Sequence, residues 1–249
     1  MNFTLDLAGQ LAHPERKEAL SIFKRIVLAL VAIDLGLIFI NIIIAGLRGS
    51  GLISGNIDAW LVFHETSIGS YFTYIKWAIL VVTLAAIALR NHGASIQLVL
   101  AALFLYILLD DTLQMHEFYG ALIASSLGLT TTLAVPAEDL GQLIFLTGVG
   151  AMFAVLAVIA FFVSARIWRQ VAISFFAALL GLAFFGVGVD VIHSMTNSLP
   201  PGQIQKMLDV GLAIFEDGGE MIFASILAAL AVAVWLKPPP QTQDGDERT

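Results

Sequence analysis

Six long apolar runs, separated by short polar stretches, dominate the chain: 26–47, 71–89, 95–119, 140–165, 171–195 and 204–236. At about 1.5 Å of rise per residue, each reaches across a hydrocarbon core of roughly 30 Å as a helix. The pattern predicts an all-α, polytopic membrane bundle of six transmembrane helices. Its connections are short except at 49–70 and 120–139. Pro14-Glu15-Arg16-Lys17-Glu18 predicts a short surface helix opened by proline. Lys24 and Arg25 precede a first run too long for a secretory signal, so that run is expected to be a retained anchor. The expected organisation is a polar segment at 1–20, a transmembrane domain at 21–236 and a tail at 237–249 that is disordered by composition.

Composition supports this reading. The 249 residues are 59% hydrophobic and 12% charged, with a mean hydropathy of +0.91, outside the usual range of soluble domains. The net charge of −7 does not describe an acidic surface, because Asp34, Asp110, Asp111, Glu117, Asp190, Glu216, Asp217 and Glu220 all fall inside apolar runs. Nucleic acid is excluded as a partner on the same ground. Arg16, Lys17, Lys24, Arg25, Arg90, Arg166, Arg169, Lys237 and Arg248 fall on one side of the predicted topology, and Arg48 and Lys206 on the other. The positive-inside rule then puts both termini in the cytoplasm.

Acids at bilayer depth cost about 2.5–3.5 kcal/mol each on insertion scales, so they are expected to face the bundle interior. Three stretches carry them: L-D-D-T-L-Q-M-H-E at 109–117, V-D-V-I-H-S-M at 189–195 and F-E-D-G-G-E-M at 215–221. In the predicted topology all three converge on the outer half of the membrane. With helical continuity, Asp110, Gln114 and Glu117 share one stripe; Asp190 and His193 share a face at i,i+3, and Glu216 and Glu220 at i,i+4. Acid-x-x-His pairs joined by carboxylates from facing helices follow the ligand logic of di-iron and di-manganese carboxylate bundles. The absence of cysteine leaves only oxygen and imidazole ligands. The expected metal ligands are Asp110, His116, Glu117, Asp190, His193, Glu216 and Glu220, holding two divalent ions, iron or manganese with zinc as the alternative. Lys76, Asp111, Gln114 and Asp217 are candidates for the surrounding layer. Gly186, Gly188, Gly218 and Gly219 suit close helix packing there. Other polar residues have structural readings: Asp34 and Asn41 as a hydrogen-bond network, Glu138 and Asp139 as helix-start acids, and His64 and Glu65 as a solvated loop rather than a lid.

The segment L-D-D-T-L-Q-M-H-E resembles the L-D-E-x-x-x-x-H-E stretch of a group of bacterial multi-pass membrane proteins without an assigned activity. G-V-G-V-D-V-I-H and E-D-G-G-E-M are similar to that group's glycine-rich helix and its late E-E-G-x-E-M segment. The resemblance implies that Asp110, His116, Glu117, Asp190, Glu216 and Glu220 share a site, in a protein of the bacterial inner membrane. Asp111 and Asp217 stand where the group tends to have glutamate, and His193 has no counterpart in its pattern.

Three functions are compatible with these residues. One is a membrane metalloenzyme, an oxidoreductase or hydrolase acting on a hydrophobic or small substrate among membrane lipids. The second is a cation or proton pathway, against which the apolar inner halves of the third, fifth and sixth runs weigh. The third is an accessory subunit of a larger membrane complex.

Overall fold

A backbone amide in hydrocarbon finds no water to bond, so an apolar run of this length closes its hydrogen bonds within a helix. In the computed structural model, which describes residues 14–53, 67–132, 134–196, 200 and 202–239, six helices are long and apolar enough to cross a membrane: Lys17–Gly49, Ile68–Arg90, Ser95–Leu113, Ala137–Val163, Arg166–Thr196 and Gln203–Leu236. The elements are α1 (Pro14–Gly49), α2 (Ile68–Arg90), α3 (Ser95–Leu113), α4 (Met115–Leu127), α5 (Ala137–Val163), α6 (Arg166–Ala183), α7 (Asp190–Thr196) and α8 (Gln203–Leu236). Between α6 and α7 the same helix continues as a π segment, Phe184–Val189. His64, Glu65 and most of the two terminal segments lie outside the described residues.

Three features depart from the sequence expectation. Pro14 opens not a separate surface helix but α1 itself, because nothing between Glu18 and Ile26 breaks the helix. The third run does not continue to Tyr119: Gln114 takes a left-handed conformation (φ 52, ψ 42), ending α3 and starting α4. Gly120, expected to begin a loop, lies inside α4. A Cβ there would stand 2.7 Å from the Gln142 backbone nitrogen, and one on Gly141 would collide with the Gly120 carbonyl. Glycine at 120 therefore serves a backbone-to-backbone crossing of α4 and α5. The stop comes at Gly128, whose φ of 61 caps α4.

Lipid tails are as apolar as leucine, so close packing of small residues holds such bundles together. α8 supplies that surface, burying Gly218, Gly219, Ala224, Ser225, Ala228, Ala229, Ala231 and Ala233, and packs against α1, α2, α6, the π segment and α7. One end of the bundle is solid. There Leu80, Leu84, Ile87, Ile96, Leu100, Phe104, Trp168, Phe175 and Leu227 form a single apolar core, and the Ala165 N–H donates to the Gly93 carbonyl at 2.9 Å, joining two turns. Arg90 and Arg169 lie at this end, with the Arg90 guanidinium 4.1 Å from the Trp235 ring centre. The opposite end is hollow.

Candidate functional site: an acidic cavity

The hollow is a cavity of about 600 Å³. Asp110, Asp111, Glu117, Asp139, Asp190, Glu216, Asp217 and Glu220 line it, with His116 and without any lysine or arginine among the described residues. Four parts of the fold bring these groups together: the α3–α4 break, the first turn of α5, the start of α7, and the middle of α8.

The break positions the first set. Asp110 Oδ1 accepts from the His116 backbone N–H at 2.9 Å and from the Tyr106 hydroxyl at 3.3 Å, while Oδ2 lies 3.0 Å from His116 Nδ1. Asp110 thus caps α4 across the left-handed Gln114. Its hydrogen bond to the ring raises the His116 pKa above the usual imidazole range. The other ring nitrogen, Nε2, has no hydrogen-bond partner among the described residues. Asp111 leans the other way and accepts from the Trp77 indole N–H at 2.9 Å. The predicted single stripe of Asp110, Gln114 and Glu117 is therefore not the geometry, although all three line the same cavity.

The π segment and α8 position the second set. A π turn adds a residue to the helical circuit and recurs at functional sites; here it immediately precedes Asp190. Gly186 stands where any side chain would collide with Glu220 Oε1, and Gly219 where one would collide with the Phe185 ring. Gly188 and Gly218 meet only ordinary or slightly tight neighbours. The carboxylates of Asp190, Asp217 and Glu220 accept no hydrogen bond from any described residue. Thr73 Oγ1, on a residue only 8% exposed at the cavity wall, also lacks a partner among the described residues.

His193 stands apart. Its Nδ1 lies 3.0 Å from Glu216 Oε2 and its Nε2 3.0 Å from Asp209 Oδ1, so neither nitrogen turns a lone pair to the main cavity. It lines instead an adjoining cavity of about 390 Å³ with Asp209, Asp190, Glu216 and Asp217. Lys76 is not at the cavity either. Its Nζ donates to Asp34 Oδ1 at 2.9 Å, to the Met221 carbonyl at 2.9 Å and to Ser225 Oγ at 3.3 Å, and Ser225 Oγ donates to Asp34 Oδ2 at 2.5 Å. This fully satisfied, buried knot ties α1, α2 and α8 together beneath the site, and it is the structural network expected of Asp34. Among the described residues, no group of three His, Asp or Glu side chains forms a ready-made cage for an ion.

Residues 26–236 match the family model Domain of unknown function (DUF8692). The chain belongs to this family. No curated protein and no solved structure matches it. The matched residues take in every residue that lines the cavity, and a family of unknown function is consistent with the resemblance to proteins without an assigned activity.

Two acids stand at these cavities that the sequence reading does not place there. Asp139 lies in the first turn of α5, as expected of a helix-start acid, but it also lines the main cavity. Asp209 lies seven residues before Glu216 on α8, and that helical spacing was the available signal.

Proposed function

We propose that this protein is an integral membrane metalloprotein whose acidic cavity holds divalent cations, in the manner of a carboxylate–histidine site. One observation carries the reading. Among the described residues, eight carboxylates and no lysine or arginine line the cavity, and three of the acids, Asp190, Asp217 and Glu220, lack any hydrogen-bond donor. Carboxylates in a site of low dielectric need a compensating charge or a proton, and a divalent ion supplies two charges at once.

The donor chemistry fits a hard or borderline ion. His116, tied through Nδ1 to Asp110 with Nε2 unpartnered among the described residues, matches the carboxylate–histidine pairing that orients metal-bound imidazoles. In this reading His116, Glu117, Asp190, Asp217 and Glu220 are the groups that would contact the ions, whereas Asp110 orients the imidazole and Glu216 engages His193. Oxygen-rich coordination favours iron or manganese, with zinc second. Such an ion supplies Lewis acidity and, if redox-active, electron transfer; the chain's own groups position it and accept or release protons. A proton or cation pathway is less well supported, because among the described residues the solid end is built of buried leucines, isoleucines and aromatics with only isolated buried polar side chains such as Gln97 and Ser164. By the positive-inside rule the basic end faces the cytoplasm and the cavity the outer side.

The test is elemental analysis of gently purified protein, with visible absorption recorded alongside. Near two equivalents of iron or manganese per chain are expected in the natural protein. Glu220→Gln, Asp190→Asn and His116→Ala should lose them together, while Asp34→Asn and Glu138→Gln retain them. Protein that carries no metal and takes none up would overturn the assignment.

A further inference from the structure

We infer that the acidic cavity is entered sideways from the bilayer, between α5 and α6, by an amphiphile with one hydrocarbon chain and a polar head that is not anionic. This rests on the reading above only in taking the cavity as the working site.

α5 and α6 are joined through Ser164 and Ala165 at the solid end, where Ser164 Oγ accepts from the Ile96 N–H at 2.9 Å and Ala160 belongs to the core with Trp168 and Ala172. Towards the cavity the two helices part. α5 packs on α3 and α4, whereas α6 and the π segment pack on α8, with α6 also touching α3; α5 and α6 do not pack along each other. Leu143 and Leu146 of α5, Leu179 and Leu182 of α6, and Val187 of the π segment line the cavity on the two helices that part here, with Ile107 of α3 among the lining residues. The adjoining Ile144 and Leu180 are exposed, so the apolar wall continues into the lipid-facing surface.

The far end of the same cavity selects the head. Its eight acids, with no lysine or arginine among the described lining residues, outnumber the four positive charges that two divalent ions would bring and so still disfavour phosphate and carboxylate groups, and the nine-tenths buried Thr73 hydroxyl, without a partner among the described residues, offers a neutral or cationic head its hydrogen bond. The volume lies within the range of small-molecule sites. The smaller cavity beside His193 and Asp209 shares Asp190, Glu216 and Asp217 with the main one.

The test uses the natural protein in bilayers with two photoreactive probes carrying a diazirine on the chain: a long-chain amine and a phosphatidylglycerol. The amine is expected to label Leu146, Leu182 and Val187 saturably and to be displaced by unlabelled long-chain amine. The phosphatidylglycerol should mark only lipid-facing positions such as Ile144 and Leu180, without saturation. Leu146→Trp, which narrows the gap, should weaken saturable labelling roughly tenfold while metal content stays unchanged. Equal labelling of the wall by both probes, or none by the amine, overturns the inference whatever the behaviour of the variant. Metal content measured on the same samples separates the two readings: wall labelling without metal sustains the lateral entry and removes the metal, and metal without wall labelling does the reverse.

Discussion

At the scale of single residues, the cavity and the knot beneath it differ in how completely their polar groups are satisfied. Asp34, Lys76 and Ser225 satisfy one another, so removing one charge strands the other. Asp34→Leu or Lys76→Met alone is expected to cost about 3–5 kcal/mol, and the two together far less, read by denaturant titration in detergent micelles. Thr73 is the opposite case. Its buried hydroxyl has no partner among the described residues, so Thr73→Val should be neutral or stabilise the ligand-free protein by about 1 kcal/mol. Gln114 occupies a left-handed conformation that costs a side-chain-bearing residue roughly 1–2 kcal/mol. Gln114→Gly should therefore preserve or raise stability, whereas Gln114→Val lowers it; thermal unfolding of the two variants against the natural protein distinguishes these outcomes.

At the scale of elements, the two glycine crossings should respond differently. Gly219→Ala drives a methyl into the Phe185 ring and Gly141→Ala drives one into the Gly120 backbone, so each is expected to cost about 1–3 kcal/mol through overpacking. Gly186→Ala meets only the end of the flexible Glu220 side chain. It should cost little stability but displace that carboxylate, and so lower metal content; unchanged metal in that variant would separate Gly186 from the site. The spans themselves were legible in the sequence because hydropathy over twenty residues is a strong signal, and Asp110, His116, Glu117, Asp190, Glu216 and Glu220 were legible because acids and imidazoles in such spans are rare. The break at Gln114 was not. Its left-handed residue is neither glycine nor asparagine, and the cap that stabilises it reaches forward from Asp110 to the His116 amide, a spacing no helix-start motif describes. The π segment was equally hidden, since F-F-G-V-G-V reads as plain membrane helix and the extra residue per turn is set by packing against α8. His193 keeps its i,i+3 spacing from Asp190, but its ring nitrogens meet Glu216 and Asp209 on another helix, which no spacing along its own helix announces.

At the scale of the whole molecule, the bundle has one sealed end and one hollow end, and the proposed orientation, with the basic, sealed end inward by the positive-inside rule, can be tested directly. Because the chain has no cysteine, Ser50→Cys and His92→Cys each provide a single thiol, at opposite ends. In intact cells an impermeant maleimide should reach Ser50→Cys, and His92→Cys only once the membrane is opened; the reverse pattern would invert the topology. The Asp110 carboxylate joins these scales. One oxygen caps α4 and the other steadies the imidazole proposed to meet the ion. Reciprocity follows: occupancy that tightens the Asp110–His116 link must hold α4 in register, and any force that drags α4 away must weaken occupancy by the same factor. Bilayer strain acting on α4 would thus be felt as a change in cation affinity.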